Sequence, residues 1–366
     1  MTTRIARLND RKPVISSETF AAAGIPDDGT NINGPSVIAI PDWVPENRRA
    51  NPCARYYLYF SHHGGRSIRM AWAELVTGPY RLYNPPLPAG RRGVLSLPDT
   101  DGRPLLRFAN GVEVFSHIAS PNVHLDETNR RFVLYFHGET NTTTPPPHAF
   151  TGPQKTLVAT SATGLNFNPP EHGGEPGHGP RPALLGNAYF CVFAFRDRLY
   201  AFSNGGELWR APADRALRPA DPPTADAWEP GPNPVSDALT ELGAPSTDPR
   251  HLAVRFIAPD RLEVFFSLRG DVEESIDRVE VTIGGGDWTT WRATGYERLL
   301  RPREPWEGAG YPPAVSRGGR QTGVRQLRDP AVFTDSDGST CLFYCGAGEE
   351  AIGVAAVPRP CGRAGR

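Results

Sequence analysis

The sequence predicts an all-β fold, a five-bladed β-propeller, and three observations carry that expectation. The first is a strand–turn–strand unit: Leu327-Arg328-Asp329-Pro330-Ala331-Val332-Phe333, a turn at Thr334-Asp335-Ser336-Asp337-Gly338, then Cys341-Leu342-Phe343-Tyr344-Cys345. The second is that this arrangement recurs four times upstream, at a period of about 60–80 residues. The third is composition: 38 Gly and 39 Pro in 366 residues supply many turns and disfavour long helices.

Residues 1–32 form a polar N-terminal segment with a turn at Ile25-Pro26-Asp27-Asp28-Gly29. Its stretch Pro13-Val14-Ile15-Ser16 is expected to pair with the last blade as an outer strand, hiding an edge. The propeller itself spans 33–357. Blade one, about 33–84, has strands at Asn33–Ile40, Tyr56–Ser61 and Ser67–Ala73, with a short outer strand near Tyr80–Tyr83. Residues 85–116 are a less regular insertion. Blade two, about 117–167, runs Ser120–Leu125, an Asp126–Asn129 turn, Arg131–His137 and Lys155–Thr160. The Thr/Pro loop between its last two strands carries Asn141-Thr142-Thr143, which fits a glycosylation acceptor but has no use in a cytoplasmic chain.

Blade three, about 184–211, runs Tyr189–Phe195, Leu199–Phe202 and Glu207–Ala211. Blade four, about 248–283, runs Arg250–Phe256, Leu262–Phe266 and Asp277–Ile283, and 284–325 reads as a long connection. Blade five, about 326–357, is the opening unit plus Ala351–Val357, and 358–366 is a tail. A sandwich or a pair of barrels leaves the five-fold recurrence unexplained.

Bulk properties exclude several classes. Net charge is −1, so nothing points to nucleic acid or an anionic membrane as a partner. No apolar run approaches the ~20 residues of a membrane helix. The N-terminus Met1-Thr2-Thr3-Arg4 lacks the apolar core of a secretion signal. Cys341 and Cys345, four apart on one strand, would stand roughly 13 Å apart, too far for a disulfide. Reduced thiols and a cytoplasmic location are expected. Phosphate loops, nucleophile elbows, Cys-x-x-Cys pairs and dinucleotide fingerprints are absent from the sequence.

The repeats, above all Arg328-Asp329-Pro330-Ala331-Val332-Phe333 with Leu342-Phe343-Tyr344, resemble the five-bladed propellers of glycoside hydrolase family 43 and its relatives. The resemblance covers about 33–357 and implies a funnel-shaped sugar site at one end of the propeller axis. It also implies a base Asp on the first blade, a second Asp on the next and an acid Glu before the third. At those places this chain has Asn33-Gly34-Pro35, Pro121-Asn122 and Leu185-Gly186-Asn187, none a carboxylate. Only Asp329 keeps the Arg-Asp-Pro context.

Strand polarity selects the residues at that end. Paired strands run antiparallel, so the start of each first strand lies beside the end of the second. This groups Asn33 with His62 and His63; His117 and Asn122 with His137 and Glu139; Asn187 with Asn204; Arg250 and His251 with Arg269; and Arg328 and Asp329 with Glu349. The opposite end receives ordinary turn residues. Only one of His62 and His63 can face a shared pocket.

Three functions fit. The first is a glycoside hydrolase-like enzyme with Asp329 as base or nucleophile and Glu139, Glu307 or Glu349 as acid, two carboxylates being the chemical minimum. The second is a His/Arg-based or metal-dependent enzyme of lyase type in the same funnel. The third is a non-catalytic sugar-binding propeller. The expected catalytic residues are Asp329, held ionised by Arg328, with His137 or Glu139 as proton donor. Asn33, His63, His117, Asn122, Arg250, His251, Arg269, Glu307 and Arg328 are expected to bind substrate. Three arginines against one carboxylate suggest a polyhydroxy or anionic ligand, a sugar or sugar acid. No cofactor is required, although the histidines could hold a divalent metal.

Overall fold

The computed structural model describes residues 5–85, 92–97, 106–107, 111, 113–140, 154–181, 184–211 and 228–359. The Asn141-Thr142-Thr143 sequence and most of the C-terminal tail lie outside these residues. The chain is all-β and folds as a β-propeller, with two short α-helices among the described residues, at Ser17–Ala22 and Pro234–Glu241. Among the described residues the strands gather into five antiparallel sheets.

The first sheet comprises Asn33–Ala39, Tyr56–Ser61, Ser67–Ala73 and Arg81–Tyr83, with Leu95–Ser96 added to the third of these strands. The second is built on Glu113–Asp126, Arg131–Thr140 and Gln154–Ser161. The third runs Cys191–Phe195, Arg198–Phe202, Leu208–Arg210 and Glu229–Pro230. The fourth runs Asp248–Ala258, Arg261–Arg269, Ile276–Thr282 and Arg292–Leu300. The fifth runs Arg328–Thr334, Thr340–Gly346 and Ala351–Val357, and Ala6–Arg7 completes it.

Each sheet is covered on both faces by its neighbours, which explains why the middle strands read as unbroken apolar runs. In Tyr56–Ser61, Tyr57 and Tyr59 enter the core shared with the second sheet, whereas Leu58 and Phe60 enter the core shared with the fifth. Val133 and Tyr135 pack toward the third sheet, Phe265 toward the fifth, and Phe266 toward the third. The strand period of two thus delivers alternate side chains to two different cores.

Among the elements the sequence does not predict, two complete the fourth sheet and its cover. Arg292–Leu300, inside the expected long connection, is the fourth sheet's outer strand. Its exposed edge position tolerates charged residues that mask the apolar alternation. The helix at Pro234–Glu241 starts on Asn233, whose side chain accepts from the Ser236 N–H, with Pro at the first helical position.

Closure also departs in detail from expectation. The N-terminal segment does complete the fifth sheet, but the paired residues are Ala6 and Arg7 opposite Ala356 and Ala355, with Ile15 making an isolated bridge to Ile352. Glu307 locks this arrangement. Its carboxylate accepts two bonds from Arg7 at 2.7 Å and one from the Tyr344 hydroxyl at 2.7 Å, and it caps the backbone N–H groups of Arg303 and Glu304. Glu307 is fully buried. It is a structural clasp and not a substrate ligand, because every carboxylate oxygen is already engaged away from the axis.

Removing one partner of a buried pair leaves the other charge stranded, at about 3–5 kcal/mol. Glu307→Ala is expected to lower the unfolding free energy by about 3 kcal/mol and to make residues 1–16 sensitive to limited proteolysis. An unchanged denaturation midpoint would contradict the clasp.

Candidate functional site

The site is built by a backbone irregularity that recurs at the head of every innermost strand. Between Asn33 and Ser36 the inner strand advances three residues while its partner advances two, from Ser61 to Tyr59. The same bulge falls between Ala119 and Asn122, Arg250 and Ala253, and Arg328 and Ala331. In the third sheet the Asn204 N–H donates to the Ala188 carbonyl and Cys191 pairs with Phe202, the same offset. A bulge leaves one residue unpaired and re-aims its side chain.

The re-aimed residues are Gly34, Ser120, Tyr189, His251 and Asp329. All five have left-handed backbones, with φ of 59°, 51°, 67°, 45° and 51°. Gly34 is glycine for a second reason, since a Cβ there would lie 3.1 Å from the Ser120 Cα. The other four hold a conformation that costs a non-glycine residue about 1–3 kcal/mol. Such strain persists only where the surroundings enforce it, and it concentrates at functional sites.

These residues form a diaphragm across the axis. Below it runs a channel of about 360 Å³ between the innermost strands. Above it lies a recess of about 40 Å³ lined by Asn33, His63, His117, Ser120, His137, Tyr189, Arg250, His251, Arg269 and Glu349, with Ala119 and Gly319. One water needs about 10–15 Å³ on this measure, so the recess admits a few heavy atoms of a ligand.

The recess is walled by rings in sequence. His63 stacks on His117 at 6.4 Å, His117 meets His137 edge-on at 5.4 Å, His137 meets Tyr189 at 4.5 Å, and Tyr189 lies 4.2 Å from His251. Burial depresses the imidazoles, His117 to about 4 with His63 adding to the effect, and His137 well below its usual range. Both are therefore neutral near pH 7. His137 Nδ1 is buried without a hydrogen-bond partner.

Asp329 is buried at the centre. One carboxylate oxygen lies 2.5 Å from His251 Nδ1, and the other accepts the Gly34 N–H at 3.2 Å. The imidazole N–H is close but not in line, as is common before a ligand tightens a site. Burial pushes the Asp329 carboxyl up, but His251, Arg250 and Arg328 together outweigh it and hold the carboxyl well below the usual range. The direct partner of Asp329 is therefore His251 and not Arg328, as the adjacent Arg328-Asp329 pair suggested.

A charge network frames this centre. Arg250 makes a two-pronged bond to Glu274, 2.7 Å on each side, and Ser267 donates to the same carboxylate. Arg328, fully buried, spans Glu274 at 3.1 Å and Glu349 at 3.1 Å. Glu349 also accepts from the Asn31 and Asn33 side chains and faces His63 Nδ1 at 3.6 Å. Burial raises the Glu349 carboxyl, but the His63 bond and Arg328 bring it below its ordinary value despite nearby Asp329. Arg269 pairs with Asp248 at 2.5 Å, and its Nε is buried without a partner.

Most residues grouped from strand polarity do meet at this mouth: Asn33, His63, His117, His137, Arg250, His251 and Arg269, with Asp329 at its floor. Four expected residues do not line it. Asn122 lies past the bulge on the channel side, where it accepts from the Val192 N–H and from His124 Nε2 and so ties the second sheet to the third. Arg328 is a buried brace. Glu307 sits in the N-terminal clasp. Glu139 is fully buried on the strand face it shares with His137 and stands outside the lining.

The expected cationic surplus also disappears, because Arg250, Arg269 and Arg328 are each matched by Glu274, Asp248 or Glu349. Among the described residues no group of three or more His, Cys, Asp or Glu side chains is placed to hold a metal ion. Ser120 and Tyr189 were missed. The Ser120-Pro121 step matches Gly34-Pro35 and Asp329-Pro330, and that shared X-Pro step was the signal that could have found Ser120.

No known protein-family model matches the chain. An uncharacterized protein of Acanthamoeba polyphaga mimivirus is 29% identical over 343 residues, covering 91% of this chain and 85% of that protein. Among solved structures, a thermostable family-43 glycoside hydrolase superposes with a TM-score of 0.53 at 13% identity, over 89% of each chain. A glycosyl hydrolase from Bacteroides ovatus gives 0.55 at 12%, over 97% of this chain and 94% of that one. A member of the GH130 family, described as mannoside phosphorylases and hydrolases of beta-1,2 mannosidic linkages, gives 0.54 at 13%, over 99% and 98%. The fold is thus that of a glycoside hydrolase-like propeller.

The buried imidazoles make stability depend on pH in a definite direction. His117 and His124 protonate in the folded state only near pH 4, but at about 6.5 when unfolded. The unfolded chain therefore binds more protons across that window, and folding stability is lost as pH falls from about 6.5 toward 4. Asp277, raised to about 7 by burial despite Arg298, opposes this with the contrary sign. In His117→Gln the slope of unfolding free energy against pH in this window is expected to shrink by about one proton. An identical slope in both proteins would contradict a neutral, buried His117.

Proposed function

We propose that the chain is a carbohydrate-active enzyme that takes a sugar at the ring-walled mouth of the axis. Its acid–base chemistry is carried by His251 and Asp329 in place of a pair of carboxylates. Each of the five sheets is taken as one blade, so that the mouth lies where a five-bladed funnel opens. The observation that carries the reading is the 2.5 Å contact of His251 Nδ1 with Asp329 at the floor of the recess.

Neutral imidazoles, Tyr189, Asn33 and Arg269 offer the mixture of flat rings and polar groups that recognises a polyhydroxy ligand. The fold likeness to glycoside hydrolases supports a sugar as the ligand class. Two-carboxylate hydrolysis fits less well. It needs one carboxyl kept protonated, whereas Asp329 and Glu349 are both held ionised. His251, joined to Asp329 by one nitrogen, can accept and return a proton at the other. A ligand with neutral hydroxyls is favoured over an acidic one, since each cation at the mouth already has a carboxylate partner.

Titration of the protein against a panel of neutral and acidic mono- and oligosaccharides, by calorimetry or ligand-observed NMR, tests the reading. At least one neutral sugar is expected to bind. Arg269→Ala is expected to weaken it about tenfold or more, the worth of one charge-assisted hydrogen bond, with no change in melting temperature. A panel without a single binder, or equal affinity in the variant, would overturn the assignment.

A further inference from the structure

The contacts of His251 continue past Asp329. Its other ring nitrogen, Nε2, lies 2.9 Å from the Ser120 hydroxyl. A carboxylate, an imidazole and a serine hydroxyl are therefore linked in series through the two different nitrogens of one ring. The three residues come from the fifth, fourth and second sheets, and each is the left-handed residue of its bulge. We propose that Ser120, His251 and Asp329 form a serine-nucleophile relay, and that the reaction at this mouth is hydrolysis of an ester, specifically an acyl group carried on a sugar. The sugar part rests on the proposed function above; the relay does not.

The roles follow from the geometry. Asp329 fixes the tautomer, placing the proton on Nδ1 so that Nε2 is free to accept from Ser120. Tyr189 packs against the His251 ring at 4.2 Å and limits its rotation. The Ser61 hydroxyl accepts the Ser120 N–H at 3.1 Å and itself donates to the Asn33 side chain at 2.5 Å, which holds the serine backbone in place. Ser120 and His251 are only partly buried and both line the recess, so an acyl carbon can reach the hydroxyl. Gly34 leaves Ser120 room on the channel side, since a Cβ there would lie 3.1 Å from the Ser120 Cα. A recess of about 40 Å³ suits a small acyl group better than a sugar ring.

The chemistry balances with water as the second reactant. Ser120 Oγ forms a bond to the acyl carbonyl carbon, and its proton passes to His251 Nε2. The intermediate collapses by breaking the bond between that carbon and the sugar oxygen, which leaves with the proton from His251. Water then adds to the acyl-serine, again giving its proton to His251. The acyl group departs as a carboxylic acid, and Ser120 recovers its hydroxyl hydrogen. Arg269 and Tyr189, which line the same recess, carry the N–H and O–H groups that would donate to the developing oxyanion.

The test uses the full-length protein with an alkyl fluorophosphonate and with p-nitrophenyl acetate. Expected results are one phosphonyl group per chain, mapped to Ser120 by peptide mass spectrometry, and p-nitrophenolate release with an initial burst that precedes steady acetate release. Ser120→Ala should abolish labelling and lower turnover about 10³-fold or more. Ser120→Gly, which relieves the positive φ, should do the same, so that inactivity cannot be ascribed to misfolding. His251→Gln should suppress labelling equally. Asp329→Asn should reduce kcat by up to about 10⁴-fold while leaving KM unchanged, a split that a purely structural role would not give. Labelling absent from Ser120, or undiminished in His251→Gln, overturns the relay. If the sugars of the binding panel still bind, only the relay falls; if they do not, the carbohydrate reading falls with it.

Discussion

The structure depends on one backbone constraint, the bulge that opens each innermost strand. An unbroken antiparallel ladder would send alternate side chains into the two neighbouring cores and none toward the axis. By inserting one residue, each bulge turns a single residue toward the axis. The result is a diaphragm of Gly34, Ser120, Tyr189, His251 and Asp329. Four of these residues carry the strain of a positive φ. What over-determines that strain lies directly behind: the Arg328 brace between Glu274 and Glu349, the Arg250–Glu274 fork, and the shared apolar cores on either side.

This framework also explains the electrostatics. The mouth holds buried groups of both signs within a small volume, and each arginine is neutralised by its own carboxylate. Desolvation then dominates the buried imidazoles and keeps His117 and His137 neutral, whereas Asp329, paired and braced, stays ionised. The site therefore combines a fixed negative charge, a single imidazole bridging it to a hydroxyl, and a wall of rings in which His117 and His137 are neutral. It is suited to moving a proton rather than to gathering a charged ligand.

Much of this was legible in the sequence because strand polarity follows from hairpin order alone. Knowing that Arg250 starts a strand and Arg269 ends its partner places both at one end, whatever the twist of the sheet. The same argument brought His63, His117 and His137 together. It could not locate the bulges, since one inserted residue leaves no trace in apolar alternation. Asn122 was consequently favoured over Ser120, and Asn187 was considered where Tyr189 stands. Partner identity was equally hidden: Arg328 and Asp329 are adjacent, yet consecutive residues on a strand face opposite ways. Asp329 therefore meets His251 of the neighbouring sheet. Glu307 was misread because an aromatic beside a carboxylate suits both a sugar site and a packed clasp, and only the Arg7 contact separates them.

The chemistry of the mouth turns on the contact between His251 and Asp329. Proton NMR of the full-length protein in water, with histidine selectively labelled by ¹⁵N, reads that bond directly. A strongly downfield imidazole proton is expected, correlated to Nδ1 of His251 and absent from Asp329→Asn and His251→Gln. In Ser120→Ala it should persist, with the Nε2 shift moving toward that of an unbonded nitrogen. A His251 that shows no such proton, and whose two nitrogens respond to neither the Asp329 nor the Ser120 substitution, would contradict the account.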